Sequence, residues 1–217
     1  MVEPKQKETL KPTTVPAIQY SVPEVFIIES LDDDDEDNKR YEGRILSDML
    51  RLAGKNPKYY YFQSEHELPH LFGLFRQTQF RFLHVSTHAT ATEISLNHGP
   101  ISYDTFADYA SPHLKTRRLF FSACQIGNEN FVNAVSAKNK GMHSIVAPAE
   151  NIDFDHAAAL WSAFYISIFA LDTNAVKHET IETRLRALMK LFPVDFFLAK
   201  YSSVGDKWKT ERLRSEA

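Results

Sequence analysis

The sequence predicts an α/β protein: a three-layer α/β/α sandwich around a mostly parallel six-stranded sheet. Three observations carry this. Apolar runs alternate with stretches of helical periodicity, giving the order strand, helix, strand, helix, strand that crossover connections produce. Phe80–Ser86 and Arg118–Ser122 are nearly continuous apolar runs, as strands buried on both faces are. Each is followed at once by a chemically capable side chain, His88 after the first and Cys124, the only cysteine, after the second. In open α/β sheets ligands sit beyond the carboxyl ends of the strands, so this pattern brings the two side chains to one edge.

The 217 residues suit one domain, and 43% hydrophobic with 12% aromatic content permits a sizeable core. A net charge of −3 makes no case for a nucleic-acid binder. One cysteine excludes an internal disulfide framework and a thiolate-rich zinc site, and no cofactor or metal is expected. The N-terminus has no apolar core of a signal peptide, and no run is read as long enough to span a membrane. The expected setting is the cytosol, where a lone thiol stays reduced.

Residues 1–21 are polar and carry Pro4, Pro12 and Pro16, so they read as a disordered or adaptor arm ahead of a domain over 22–206. Val25–Glu29 is the first strand. The acidic block Asp32–Asp37 follows; as such a block resists burial, it reads as a solvated loop. It either only solubilises or sets up a field that attracts basic substrates or a divalent ion. Asn38–Ala53 has apolar residues at helical spacing and ends at Gly54, where a C-cap glycine belongs. Lys58–Phe62 is the second strand. Ser64 and Glu67 have capping-box spacing, and Pro69 suits the first turn of a helix that starts near Leu68.

After the third strand, Thr92–Leu96 alternates and meets the turn signal Asn97-His98-Gly99, so a hairpin is expected next to His88. A helix over Tyr103–Tyr109, the strand Arg118–Ser122, a helix over Glu129–Asn139 and the strand Ser144–Pro148 follow. Two further helices, Phe154–Ala170 and Glu179–Phe192, lead to a sixth strand, Phe196–Tyr201. The charged tail, residues 207–217, reads as a frayed helix.

The chemistry this pattern supports is that of a cysteine-dependent hydrolase. Cys124 is the candidate nucleophile, since the thiolate is the reactive form and a neighbouring imidazole can take its proton. His88 is the candidate base, and then the acid that protonates the leaving amine. Gly127 is expected to let the backbone turn sharply away from the cysteine. His84 lies within a strand and reads as structural; His98, His113 and His143 are weaker candidates for the base. Against this stands an inert buried cysteine beside an incidental histidine.

The pairing of Ser86-Thr87-His88-Ala89 with Ser122-Ala123-Cys124-Gln125-Ile126-Gly127 resembles the caspase-like cysteine peptidases (clan CD), and within them the CHAT, separase-related branch. Val146-Ala147-Pro148, Asp155 with Ala157-Ala158, Phe164-Tyr165, Pro193 with Phe196-Phe197-Leu198, and Gly205-Asp206 extend the likeness over about 25–206. The resemblance implies an endopeptidase with a His88–Cys124 dyad and oxyanion donors at the backbone N–H groups of Ala89 and Cys124. It implies a substrate pocket in the loop after the fifth strand. There Asp153, Asp155 and Glu150 are candidates to bind Arg or Lys of a protein substrate. An alternative for Asp153 or Asp155 is to cap the following helix. Two departures are Ala89, where the family most often has Gly, and the missing Trp after the fifth strand, where Asn151 and Ile152 stand. The resemblance also implies regulation by an activating protein partner, in signalling or antiviral defence. The competing readings are a catalytically silent scaffold, with the dyad apart or the site plugged, and a non-peptidase thiol hydrolase or acyltransferase.

Overall fold

A computed structural model describes residues 21–172 and 177–215. The expected N-terminal arm lies, but for Ser21, outside the described residues. Seven strands form the main sheet: β1 (Val22–Glu29), β2 (Lys58–Tyr61), β3 (Phe80–Ser86), β7 (Arg118–Ser122), β8 (Ser144–Pro148), β9 (Phe196–Ser202) and β10 (Lys207–Leu213). Their spatial order is β10-β9-β8-β7-β3-β1-β2. The five central and early strands run parallel, whereas β9 is antiparallel to β8 and β10 to β9. A second, three-stranded sheet of β4 (His88–Ala89), β5 (Glu93–Leu96) and β6 (Gly99–Ser102) grows out of the hairpin expected next to His88.

The helices are α1 (Asp33–Asp37), α2 (Glu42–Leu52), α3 (Leu68–Thr78), α4 (Tyr103–Ala110), α5 (Glu129–Lys138), α6 (Phe154–Leu171) and α7 (His178–Met189). Strand periodicity sorts them into two layers. Phe26, Ile28, Leu83, Val85, Leu119 and Phe121 point to the face covered by Leu71, Phe72, Phe75, Phe106 and Phe131 of α3, α4 and α5. Val25, Ile27, Phe82, Phe120 and Val146 point to the face covered by α2, α6 and α7 through Leu46, Leu50, Trp161, Tyr165, Ile181 and Leu185. Ser64 and Glu67 form the capping box, closing a 3-10 turn ahead of α3, and Pro69 sits in its first turn.

Three sequence expectations change. The tail is the strand β10 and not a frayed helix, so the sheet has seven strands. An outer edge strand needs only a sparse apolar face: Leu213 is buried and Trp208 half-buried, and the rest is exposed and, but for Thr210, charged. Asp32–Asp37 is not a solvated loop throughout, since α1 forms there and Asp35 is 3% exposed. And α6 does have the length and mean hydropathy, 1.3 over 18 residues, of a membrane span. Its Leu160, Trp161, Phe164, Tyr165 and Ile168 are wholly buried in the second core.

Beneath the carboxyl end of the sheet lies a buried polar network. Glu29, at the end of β1, accepts from the N–H of Gly43 (2.6 Å) and from the Tyr59 hydroxyl (2.7 Å). Burial pushes the Glu29 carboxyl up from 4.5 to about 7; the Tyr59 hydroxyl opposes this and the charge of Glu42 adds to it. The folded state therefore binds a proton more tightly than the unfolded chain. The resulting stability is complete below pH 4.5 and is lost as the pH rises to about 7. Glu29→Gln is expected to remove this pH dependence, roughly 3 kcal/mol between pH 4.5 and 7. Denaturant unfolding of wild type and variant at pH 5 and pH 8 measures it, and parallel pH profiles would contradict the assignment.

Gly127 is required in this turn by space and not by a left-handed backbone; the left-handed residue is Gln125, at φ 56°. A Cβ on Gly127 would stand 2.5 Å from the Ala147 carbonyl oxygen and 2.6 Å from that of Pro148. Gly127→Ala is expected to cost about 3 kcal/mol, read as a lowered midpoint of thermal or denaturant unfolding.

Candidate functional site

The register of β3 on β7 builds the site. Ser86 pairs with Ser122, and His88 and Cys124 each lie two residues beyond that pair at the carboxyl edge. The Thr87 N–H donates to the Ser122 carbonyl (3.2 Å), carrying the strand contact one residue further. Past Cys124 the chain folds back under β8: the Gln125 N–H donates to the Glu150 carbonyl and the Gly127 N–H to that of Pro148 (2.7 Å).

His88 and Cys124 line one cavity of about 190 Å³, with Glu42, Ser86, Thr87, Ser122, Ala123, Ile152, Asp153, Phe154 and Ala157. The cysteine is half-buried, and its Sγ lies 3.7 Å from the Ile152 carbonyl oxygen. The His88 ring stands edge-on to Phe154, with centroids 5.4 Å apart. Among the described residues, no group accepts a hydrogen bond from the Cys124 N–H.

The acid that faces His88 comes from the block expected to be solvated. His88 Nε2 is 2.5 Å from Asp35 Oδ2, while Asp35 Oδ1 takes a hydrogen bond from Arg40 (2.8 Å). Asp32 caps the short helix by accepting from the Asp35 N–H (2.9 Å), which aims the Asp35 side chain at the histidine. Burial of Asp35 is tolerable because both of its oxygens have partners. With Nε2–H donating to Asp35, Nδ1 is the basic nitrogen of His88. Asp32, Asp35 and His88 also offer three ligand atoms within 4.8 Å of one another, as do Asp153, Asp155 and His156. Only these two clusters, among the described residues, have the donors to hold a metal ion.

The other histidines are elsewhere. His84 is wholly buried below the edge, with Nδ1 3.2 Å from the Tyr165 hydroxyl. His113 stacks on Phe72, and His143 precedes β8; both lie at the amino ends of strands, the opposite edge from Cys124. Burial, with Arg118 nearby, lowers His143 to about 4. His98 is exposed in the β5–β6 turn.

The substrate-binding candidates separate. Asp153 lines the cavity at its rim, at the N-cap position of α6 but with no side-chain cap hydrogen bond. Asp155 is exposed in the first turn of α6, with Oδ1 accepting from the His156 N–H, and borders a neighbouring apolar recess. Glu150 is paired with Arg212 (2.9 Å) in a different groove, bordered by Gln125, Asn128 and Phe197. Sequence reasoning missed Asp35 and Glu42. The acidic block offered a weak signal for Asp35. Glu42, in the first turn of an ordinary amphipathic helix, offered none.

No protein-family model matches the sequence, and no curated protein matches it. Solved structures do. An inactive zymogen C11 protease from Parabacteroides distasonis aligns with a TM-score of 0.56 at 12% identity, over 88% of this chain and 63% of its own. The chain thus spans less than two thirds of that protein. A secreted C11 cysteine protease from Bacteroides thetaiotaomicron aligns with a TM-score of 0.56 at 8% identity, over 83% of this chain and 67% of its own. Caspase-1 from Spodoptera frugiperda aligns with a TM-score of 0.50 at 14% identity, over 97% and 94%. At these identities the likeness is one of fold: this chain has the caspase-like fold shared by C11 and caspase cysteine proteases.

Proposed function

We propose that this chain is a cysteine endopeptidase that cuts a protein substrate after Arg or Lys. The observation that carries the reading is the shared cavity of His88 and Cys124 at the carboxyl edge, with Asp35 on the far nitrogen of the imidazole. In this reading His88 Nδ1 takes the Cys124 proton and the sulfur attacks the substrate carbonyl. The resulting oxyanion is held by the N–H groups of Cys124 and Ala89. His88 then returns the proton to the amine as the C–N bond breaks. Water, deprotonated by the same histidine, hydrolyses the thioester. Asp35 is a positioning residue: it holds the ring and its tautomer and offsets the charge of the imidazolium.

A basic residue before the cut bond is supported by the cavity wall, which includes two acids, Glu42 and Asp153, and, among the described residues, no Arg or Lys. A peptide or protein substrate is supported by the three protease neighbours that share the fold, of which the Bacteroides enzyme has also been solved in complex with an irreversible peptide inhibitor. The sequence resemblance to the CHAT branch is the support for a partner-activated role in signalling or defence, and the single thiol is the support for a cytosolic setting. A silent scaffold would require a plugged site or a separated dyad; both side chains line one open cavity.

Cleavage of a fluorogenic peptide library by wild type and Cys124→Ala tests the reading. The expected result is activity centred on Arg or Lys that vanishes in the variant. Activity that survives in Cys124→Ala overturns the assignment. Asp35→Asn is expected to lower kcat by roughly 10²-fold or more with little change in KM. The alkylation rate of Cys124 should lose its dependence on His88 in the same variant. An unchanged kcat and alkylation profile would leave Asp35 a purely structural partner.

A further inference from the structure

We infer that Glu42, and not Asp153, Asp155 or Glu150, is the side chain that selects a basic residue before the cut bond. The inference rests on the peptidase reading of the cavity and assigns its specificity to a residue of α2 and not to the loop after β8. Glu42 lines the same cavity as His88 and Cys124, yet it is 2% exposed. One carboxylate oxygen, Oε2, takes the Ser86 hydroxyl at 2.5 Å. The other, Oε1, is buried with no hydrogen-bond partner among the described residues. The nearest basic atom is the buried His84 Nε2, which also has no hydrogen-bond partner among the described residues; at 3.8 Å it is within ion-pair distance but beyond hydrogen-bond reach.

A buried carboxylate oxygen without a donor is rare and unfavourable unless something supplies one. A guanidinium or an ammonium is the donor that fits, because both carry several N–H groups and a charge of opposite sign. The other acids are poorly placed by comparison. Glu150 already holds Arg212, and Asp155 lies outside the cavity. Asp153 is at the rim, in contact with water, where charge pairing is screened. Glu42 sits in the drier floor, where the same pairing is stronger. Glu29 does not line the cavity but lies behind Ser86: the hydroxyl that binds Glu42 is 3.3 Å from Glu29 Oε1. Among the described residues, no Arg or Lys lines the cavity to bind an aspartate in its place.

The test uses the full chain and peptidyl acyloxymethyl ketones that differ only in the first residue: arginine, its uncharged isostere citrulline, norleucine and aspartate. The readout is the rate at which each modifies Cys124, followed by intact mass. Wild type should favour arginine over citrulline by roughly 10²-fold. Glu42→Gln should bring that ratio close to one, through a fall in the arginine rate toward that of citrulline. Asp153→Asn should keep most of the preference. A Glu42→Gln ratio equal to wild type, or a collapse in Asp153→Asn instead, overturns the inference. If Glu42→Gln does not fold, the wild-type ratio still decides, since no preference for arginine over citrulline overturns it. Iodoacetamide separates the two levels. Labelling of Cys124 that depends on His88, with no preference for arginine, sinks Glu42 and the basic preference and leaves the cysteine peptidase standing. Labelling indifferent to His88, with every peptidyl probe inert, sinks the peptidase reading and this inference with it.

Discussion

The pairing of β3 with β7 is the constraint on which the rest of this molecule depends. With Ser86 opposite Ser122, His88 and Cys124 leave the sheet at the same level, on strands about 4.8 Å apart. Neither residue has to be carried across the surface by a long loop. A slip of one residue would turn one of the two side chains to the other face. The register is held by the two cores: Leu83 and Phe121 bury on one side, Phe82 and Phe120 on the other. Packing of apolar side chains far from the edge thus sets the geometry at the edge.

Acidic chemistry is gathered under that edge at some cost to stability. Glu29, Asp35 and Glu42 are all buried, and each is accommodated differently. Asp35 has Arg40 and His88. Glu29 has two backbone N–H groups and a tyrosine, and its raised pKa marks what burial still costs it. Glu42 has a single serine and an oxygen without a donor among the described residues. The least satisfied of the three lines the cavity, the pattern expected where stability is traded for binding.

The turn after Cys124 shows how tightly the edge is built. Gln125 takes the left-handed conformation, and Gly127 passes so near the end of β8 that no side chain fits. Two backbone hydrogen bonds to Pro148 and Glu150 then dock the turn on β8 and the loop that follows it. The same loop supplies Ile152, Asp153 and Phe154 to the cavity, so the cysteine and the opposite wall are held by one set of contacts.

By itself the sequence determined the central strands, nearly all the helices, and the placement of His88 and Cys124 at one edge. Those features rest on local periodicity and on strand ends, which each segment carries in its own residues. Tertiary structure decided the rest. The edge strand Lys207–Leu213 is charged and needs a neighbour to declare itself. Asp35 was distinguishable from its acidic neighbours only once α1 aimed it at a histidine 53 residues away. Glu42 reached the cavity only because α2 packs under β3. Burial of a charge is decided by partners distant in the chain, and no local pattern encodes them.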